Sequence, residues 1–414
     1  MKTTLLSAIL FTFCLLSCTS DDGGDFGKDT PRYDIPLSTK SGEINTQVQK
    51  FSFDFYREIA KSEKNKENFC ISPLSASLCL GMILNGADGN TYTEIQKTLG
   101  FEGFTNQQIN EYVKMMQTEL PKLDGRTIFT NANSLWVNNS YTLLPEFIQT
   151  NKTYYDAEVS NEPFDNSTLE KINSWCKQKT NGLIPEIIDK ISDDMVSYLI
   201  NTIYFKGVWT NEFKKSDTKD EPFYLANGGI VKVPTMKQTQ SNNYYVDEDV
   251  QVVELPYGNE SFSMVLFIPT DPEKKDIDKV IADLDRETWI NWDENMYPVN
   301  MTIYLPRFVI QTEKDLIGSM KVLGIQDAFY DYSANFTKMS TTVGLYIDLL
   351  KQKTFIELNE SGTEAAAVTI GGTATTGVGP SQPAEIRFDH PFGYVLKEKS
   401  TGAILFAGKV GKPE

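Results

Sequence analysis

Histidine is almost missing from these 414 residues: His390 is the only one. It stands before Pro391 in a strand-like run, so no Ser-His-Asp or Cys-His arrangement has an independent candidate. No GxGxxG, P-loop or HExxH spacing occurs either. Cysteine is scarce, with 5 in the chain, and no two of them have C-x-x-C spacing. That supports neither a zinc site nor a disulfide framework. Cys79 and Cys176 fall among apolar helix positions and read as buried free thiols, as does Cys70. Lys and Arg number 39 against 56 Asp and Glu, a net charge of −17. Bulk electrostatics therefore disfavours nucleic acid and heparin as partners. With so many carboxylates, pairs arise by chance and identify no acid–base site. Beyond the first eighteen residues no apolar run is long enough to span a bilayer.

What the chain does have begins at its N-terminus. Lys2, the apolar run Leu5 to Leu16, and Leu15-Leu16-Ser17-Cys18 read as an export signal. Its ending resembles the bacterial lipobox, which implies removal of residues 1–17 and lipid on Cys18; plain secretory cleavage near Ser17 is the alternative. The acidic T-S-D-D-G-G-D that follows resembles a lipoprotein surface-export signal. The expectation is a lipidated flexible tether over residues 18–42 and an exported bacterial lipoprotein on the outer membrane or cell surface.

Val48, Phe51, Phe55 and Ile59 recur at helical spacing and predict a first helix over 45–59. A short strand at 68–71 leads to Ser72-Pro73, a helix start with a capping hydroxyl and proline in the first turn. Thr91 to Glu94 and Thr105 with Gln108 read as capping boxes, and Ser167-x-x-Glu170 as another start. Strands are expected at 128–137, 195–205, 230–236, 250–255, 262–268 and 301–310, with helices at 276–284 and 313–323. Short strands close the chain. With no internal repeat and no interior linker, one large α+β domain over residues 43–414 is the economical reading.

One stretch departs from ordinary composition. Phe355, Ile356 and Leu358 suggest a half-buried strand at a sheet edge. Past Glu360 there are about twenty residues without an aromatic, Lys or Arg. Every second residue from Thr363 is small: Thr363, Ala365, Ala367, Thr369, Gly371, Thr373. In a strand these share one face, so the segment could lie exposed yet enter a sheet without clash.

Glu360-Ser-Gly-Thr-Glu-Ala-Ala-Ala367 resembles the hinge of the serpins. Further motifs follow in that family's order: Asn68 to Ser75, Asn201 to Trp209, Val231 to Met236, Glu254 to Gly258, Leu305 to Phe308 and Phe388 to Phe392. The resemblance covers nearly all of residues 43–414. It implies a single serpin-type domain with a large central mixed β-sheet, further smaller sheets, eight to nine helices, and an exposed reactive loop at about 360–382. It implies an inhibitor and not an enzyme: a target serine protease cuts the loop, and the acyl-enzyme is trapped as the loop enters the sheet. The hinge would be Glu360, Gly362, Thr363, Glu364, Ala365, Ala366 and Ala367, with an Arg307–Glu360 ion pair above it. Ser72, Ser75, Asn201 and Gln352 would form the region beneath the opening sheet, where Gln352 replaces a histidine common in the family. Gly393 replaces an apolar residue usual after Pro391-Phe392. Counting from Glu360 puts the scissile bond at Thr376-Gly377, with Thr375 and Val378 as alternatives. The small residues there favour elastase-like or subtilisin-like targets.

No cofactor or metal is implied, and the expected state is a monomer. Heparin activation is not expected, since Lys114 is the only basic residue from Thr105 to Leu120. Two other readings stay open: a serpin fold that no longer inhibits, and an unrelated glycan- or solute-binding lipoprotein.

Overall fold

The computed structural model describes residues 30–363 and 383–413. Among the described residues are nine α-helices. The first six are α1 (Thr39–Ser62), α2 (Pro73–Leu84), α3 (Gly89–Thr98), α4 (Asn106–Glu119), α5 (Pro145–Tyr155) and α6 (Asn166–Lys179). The others are α7 (Ile277–Asp283), α8 (Arg286–Asn295) and α9 (Ile317–Leu323). The strands form two mixed sheets. The six-stranded sheet holds β2 (Thr127–Asn138), β3 (Glu158–Glu162), β4 (Ser197–Val208), β10 (Phe308–Asp315), β11 (Leu349–Asn359) and the two-residue β12 (Gly362–Thr363), in the order β10-β11-β12-β4-β2-β3. The nine-stranded sheet holds β1 (Asn68–Ile71), β5 (Lys219–Tyr224), β6 (Ile230–Val246), β7 (Val250–Tyr257), β8 (Phe262–Pro269), β9 (Tyr297–Pro306), β13 (Ala384–Arg387), β14 (Phe392–Glu398) and β15 (Ile404–Val410).

Local chemistry explains most boundaries. Ser72 caps α2 through its hydroxyl, and Pro73 takes the first turn, where a missing N–H costs nothing. Thr105 and Gln108 form the capping box of α4. α2 is buried along its whole length. It lies between the sheets, which is why it lacks a polar stripe. α6 lies on the other side of the six-stranded sheet and closes a second core: Ile172, Trp175 and Cys176 with Ile184, Ile187 and Ile188 pack on Trp136, Tyr198 and Ile200.

Several expectations are corrected. β11 is interior, paired with β10 on one side and with β4 and β12 on the other, so it is no edge strand. The run 301–310 is two strands in different sheets, broken at Arg307 after Pro306. The predicted helix at 313–323 begins only at Ile317, because Glu313 to Asp315 continue β10. Thr91 lies inside α3, which starts after Asp88, and its hydroxyl accepts from Asn335 N at 2.9 Å. Asp165, not Ser167, caps α6. Gly393 leaves room for Phe267, whose ring would meet a Cβ there at 2.2 Å. Residues 30–38, expected within the flexible tether, are docked on the body: Ile35 is buried, and its N–H donates to Ser400 Oγ at 3.0 Å.

Candidate functional site

The site is the seam between β11 and β4. At its lower end the two strands pair in parallel over five residues, Leu349 to Lys353 against Tyr198 to Thr202. At its upper end Gly362 and Thr363 lie between them, with Thr363 opposite both Leu358 and Gly207. Between the two ends, Thr354 to Glu357 on β11 have no ladder partner on β4. The seam is therefore closed below, wedged above, and parted in the middle.

The wedge is built from residues far apart in sequence. Gly362 has φ +142°, and a Cβ there would stand 2.0 Å from the Gly207 carbonyl oxygen, so no side chain fits. The Thr363 hydroxyl is buried against the Tyr257 hydroxyl, 2.6 Å away. Burial pushes the Tyr257 phenol well above its ordinary pKa, against the opposing bond from Thr363. Tyr257 stacks on Trp209 with ring centroids 4.2 Å apart, and Trp209 Nε1 donates to the Asn359 carbonyl at 3.0 Å. This aromatic pair fixes the turn from β11 into β12.

Glu360 sits in that turn, buried to 2% exposure, while Arg307 is 41% exposed. Arg307 Nε donates to Glu360 Oε1 at 2.8 Å, Nη2 donates to the same oxygen, and the Thr218 hydroxyl donates at 2.5 Å. Burial alone would raise the carboxyl pKa, but the Arg307 and Thr218 bonds outweigh it and hold Glu360 below the usual range. The break at Pro306 that moves the chain between sheets is what places Arg307 over the seam.

Behind the closed segment lies a buried polar cluster. Gln352 stands directly opposite Asn201 in the ladder. Its side-chain oxygen accepts from Ser72 N at 2.9 Å, and its nitrogen donates to the Ser72 carbonyl at 3.0 Å and to Asn201 Oδ1 at 3.3 Å. Ser75 Oγ donates to Asn201 Oδ1 at 2.5 Å, and Asn201 Nδ2 donates to Asn133 Oδ1 at 2.7 Å. Ser72, Ser75, Asn201 and Gln352 are thus brought together, with Asn131 and Asn133 completing the cluster. No member ionises near neutral pH. On the opposite face, Lys351 and Lys353 donate to the carbonyls of Ile187 (2.9 Å) and Glu186 (2.7 Å), pinning the segment after α6 across the closed ladder.

Sequence reasoning named Arg307, Glu360, Gly362, Thr363 and the four residues of the polar cluster. It missed Tyr257, Trp209, Thr218, Asn131 and Asn133 as parts of the site. Trp209 and Tyr257 lay inside the quoted motifs, which was the available signal. Cys18, Glu364, Ala365, Ala366, Ala367, Thr375, Thr376, Gly377 and Val378 lie outside the described residues. Among the described residues no group of His, Cys, Asp and Glu could hold a metal.

Comparison with known proteins gives this geometry a context. The profile of the family "Serpin (serine protease inhibitor)" matches residues 46–413. The leukocyte elastase inhibitor of Equus caballus is 32% identical over 382 residues, spanning 90% of this chain and 100% of that protein. Tengpin, a thermophilic serpin solved in its native state, superposes with a TM-score of 0.83 at 30% identity, over 93% of this chain and 97% of that one. A thyroxine-binding globulin in complex with thyroxine superposes with a TM-score of 0.80 at 27% identity, over 90% and 99%. This chain belongs to the serpin family.

Proposed function

We propose that this serpin is a suicide-substrate inhibitor of elastase-like or subtilisin-like serine proteases. The observation that supports this most is the partly occupied seam, where the first two hinge residues are already strand between β11 and β4. Continuing that register puts Ala365 opposite Ile356, Ala367 opposite Thr354 and Thr369 opposite Gln352. Those partners are the buried members of β11. Antiparallel partners share a face, so the small residues would enter the packed side. Val368 and Ile370 would fall opposite Lys353 and Lys351, on the side covered by α6.

The chemistry belongs to the protease. Its serine Oγ attacks the carbonyl carbon of the residue before the cut, taken as Thr376. The C–N bond to Gly377 breaks, the Gly377 amine leaves with a proton, and an ester joins Thr376 to the enzyme. The freed strand then inserts, opening the five-residue ladder and separating Gln352 from Asn201. Fourteen residues from Thr363 span roughly 46 Å at about 3.3 Å each, enough to carry the enzyme to the other end of the sheet before water cleaves the ester.

The test is incubation with pancreatic elastase followed by denaturing electrophoresis. The expected product is a complex that survives detergent, with a peptide released from the C-terminal side of the cut. Complete cleavage without complex would sink the inhibitory reading and leave the alternative, a carrier with this fold. The thyroxine-binding relative is the reason to keep that alternative. Family membership removes the unrelated glycan-binding reading.

We further propose that residues 1–17 are removed and that Cys18 carries lipid, placing the protein at the outer membrane or cell surface. A Cys18→Ala chain is expected to leave the membrane fraction. Its retention there would contradict the anchor.

A further inference from the structure

The segment Thr30–Ser38 takes no part in the proposed insertion, yet it is bound at the same end of the molecule. The Thr30 hydroxyl accepts from Gly125 N at 3.1 Å, and its carbonyl accepts from Asn259 Nδ2 at 3.0 Å. Gly125 belongs to the turn that opens β2, and Asn259 to the turn between β7 and β8. The first lies in the six-stranded sheet's moving side, which is β4 with β2 and β3. The second lies in the nine-stranded sheet, two residues from Tyr257, the holder of Thr363. Further along, the Tyr33 hydroxyl donates to Glu119 Oε2 at 3.1 Å at the end of α4. Ile35 is buried at 4% exposure, and its N–H is bonded to Ser400 Oγ between β14 and β15.

Admitting one more strand between β11 and β4 widens the sheet by about 4.8 Å. β11 is tied to the nine-stranded sheet through Thr354 Oγ1 and the Cys70 carbonyl, 2.7 Å apart. The β4-β2-β3 side must therefore slide over that sheet. Thr30 and Tyr33 bridge the two parts, and a shift of that size exceeds what any bond near 3 Å tolerates. The sliding parts share other bonds, among them Asn259 Nδ2 to the Leu123 carbonyl at 2.7 Å. The segment adds ties that come from neither sheet.

We propose that residues 30–38 form a clasp that slows sheet opening, so that the intact chain keeps its loop outside until it is cut. Thr30, Tyr33 and Ile35 act here as positioning residues. The inference rests on the loop-insertion reading, but it is tested without any protease. In the otherwise unaltered chain, Thr30→Ala combined with Tyr33→Phe removes the hydroxyl bonds to Gly125 and Glu119. A second variant replaces residues 30–34 with Gly and Ser. Each is held at 37 °C, and the fraction converted to a form that no longer melts at the fresh protein's transition is followed with time. The clasp predicts conversion about tenfold faster for the double variant, which is about 1.4 kcal/mol of barrier. It predicts a larger acceleration for the replacement and partial reversal by added peptide spanning 30–38. Asp34→Ala, which removes only an exposed pair with Arg32 (side chains 72% and 37% exposed), should convert at the parental rate. Unchanged conversion in both clasp variants overturns the proposal. So does loss of native protein without a heat-resistant product, which marks ordinary destabilisation. Faster conversion in a chain that never traps elastase would keep the clasp and discard the inhibitor.

Discussion

Replacing Thr363 by arginine tests the wedge directly. The residue is 1% exposed, faces Leu358 and Gly207 across two ladders, and bonds its hydroxyl to Tyr257. An arginine in that seat must bury a guanidinium with no carboxylate prepared for it, at a cost of several kcal/mol. The extra side-chain volume adds about 1–3 kcal/mol of overpacking. A combined penalty of about 4 kcal/mol slows entry of the next residues roughly a thousandfold, since each 1.4 kcal/mol is a factor of ten. Insertion would then lose its race with hydrolysis of the acyl-enzyme, and the variant should be cleaved as a substrate. The assay is the ratio of complexed to cleaved chain on a denaturing gel across a titration of elastase. Thr363→Ser keeps the hydroxyl and should behave as the parent. Complex formation by Thr363→Arg at the parental ratio would refute the role given to this seat.

Three further outcomes follow from the buried polar groups. Glu254 is buried, which raises a carboxyl pKa, but Lys397 and Lys399 with Asn243 and Ser263 bring it down to about 2. A folded-state value below the unfolded one means stability that is present above about pH 4.5 and lost as pH falls toward 2; about 3 kcal/mol is at stake. Acid denaturation of Glu254→Gln should show a shallower loss across that window. Gln352 does not titrate, so spontaneous loop insertion should run at one rate from pH 5.5 to 8. In Gln352→His, burial favours the neutral ring, so protonation should favour the open state and insertion should quicken as pH falls through the sixes. A flat profile for that variant would show that this cluster does not govern opening. Burial pushes the thiols of Cys70 and Cys176 up to about 12, and that of Cys79 higher still. An aromatic disulfide reagent at pH 8 should therefore reach none of the three until the chain is unfolded.

The hinge was legible in the sequence because its requirement is steric. Small residues at alternate positions can be read without knowing their neighbours, and so can an obligatory glycine such as Gly362. Helix starts were legible where a single side chain satisfies a nearby amide, as at Ser72 and Thr105. The failures have a common cause. Alternating apolar residues from Met301 to Ile310 announce strand, but period two does not say which sheet each half joins, and only Pro306 marked the change. Thr91 and Glu94 have capping-box spacing, yet the hydroxyl is bonded to a segment more than two hundred residues away. The polar composition of residues 30–38 reads as tether because two of its anchors are backbone groups and only Ile35 is a buried apolar residue. Tyr257 and Trp209 went unassigned because their role exists only once β4, β7 and the turn after β11 converge.

The position of Thr30 sets the geometry of any mooring. It lies beside Gly125, two residues before Thr127, which pairs with Gly207, itself the partner of Thr363. The polypeptide thus departs from the pole that displays the bait. From Cys18 to Thr30 is a run of twelve peptide steps (30 − 18 = 12), at most about 40 Å when taut. A lipid on Cys18 would hold that pole toward the bilayer, and a captured enzyme would be swung to the far pole, away from the surface it came to attack.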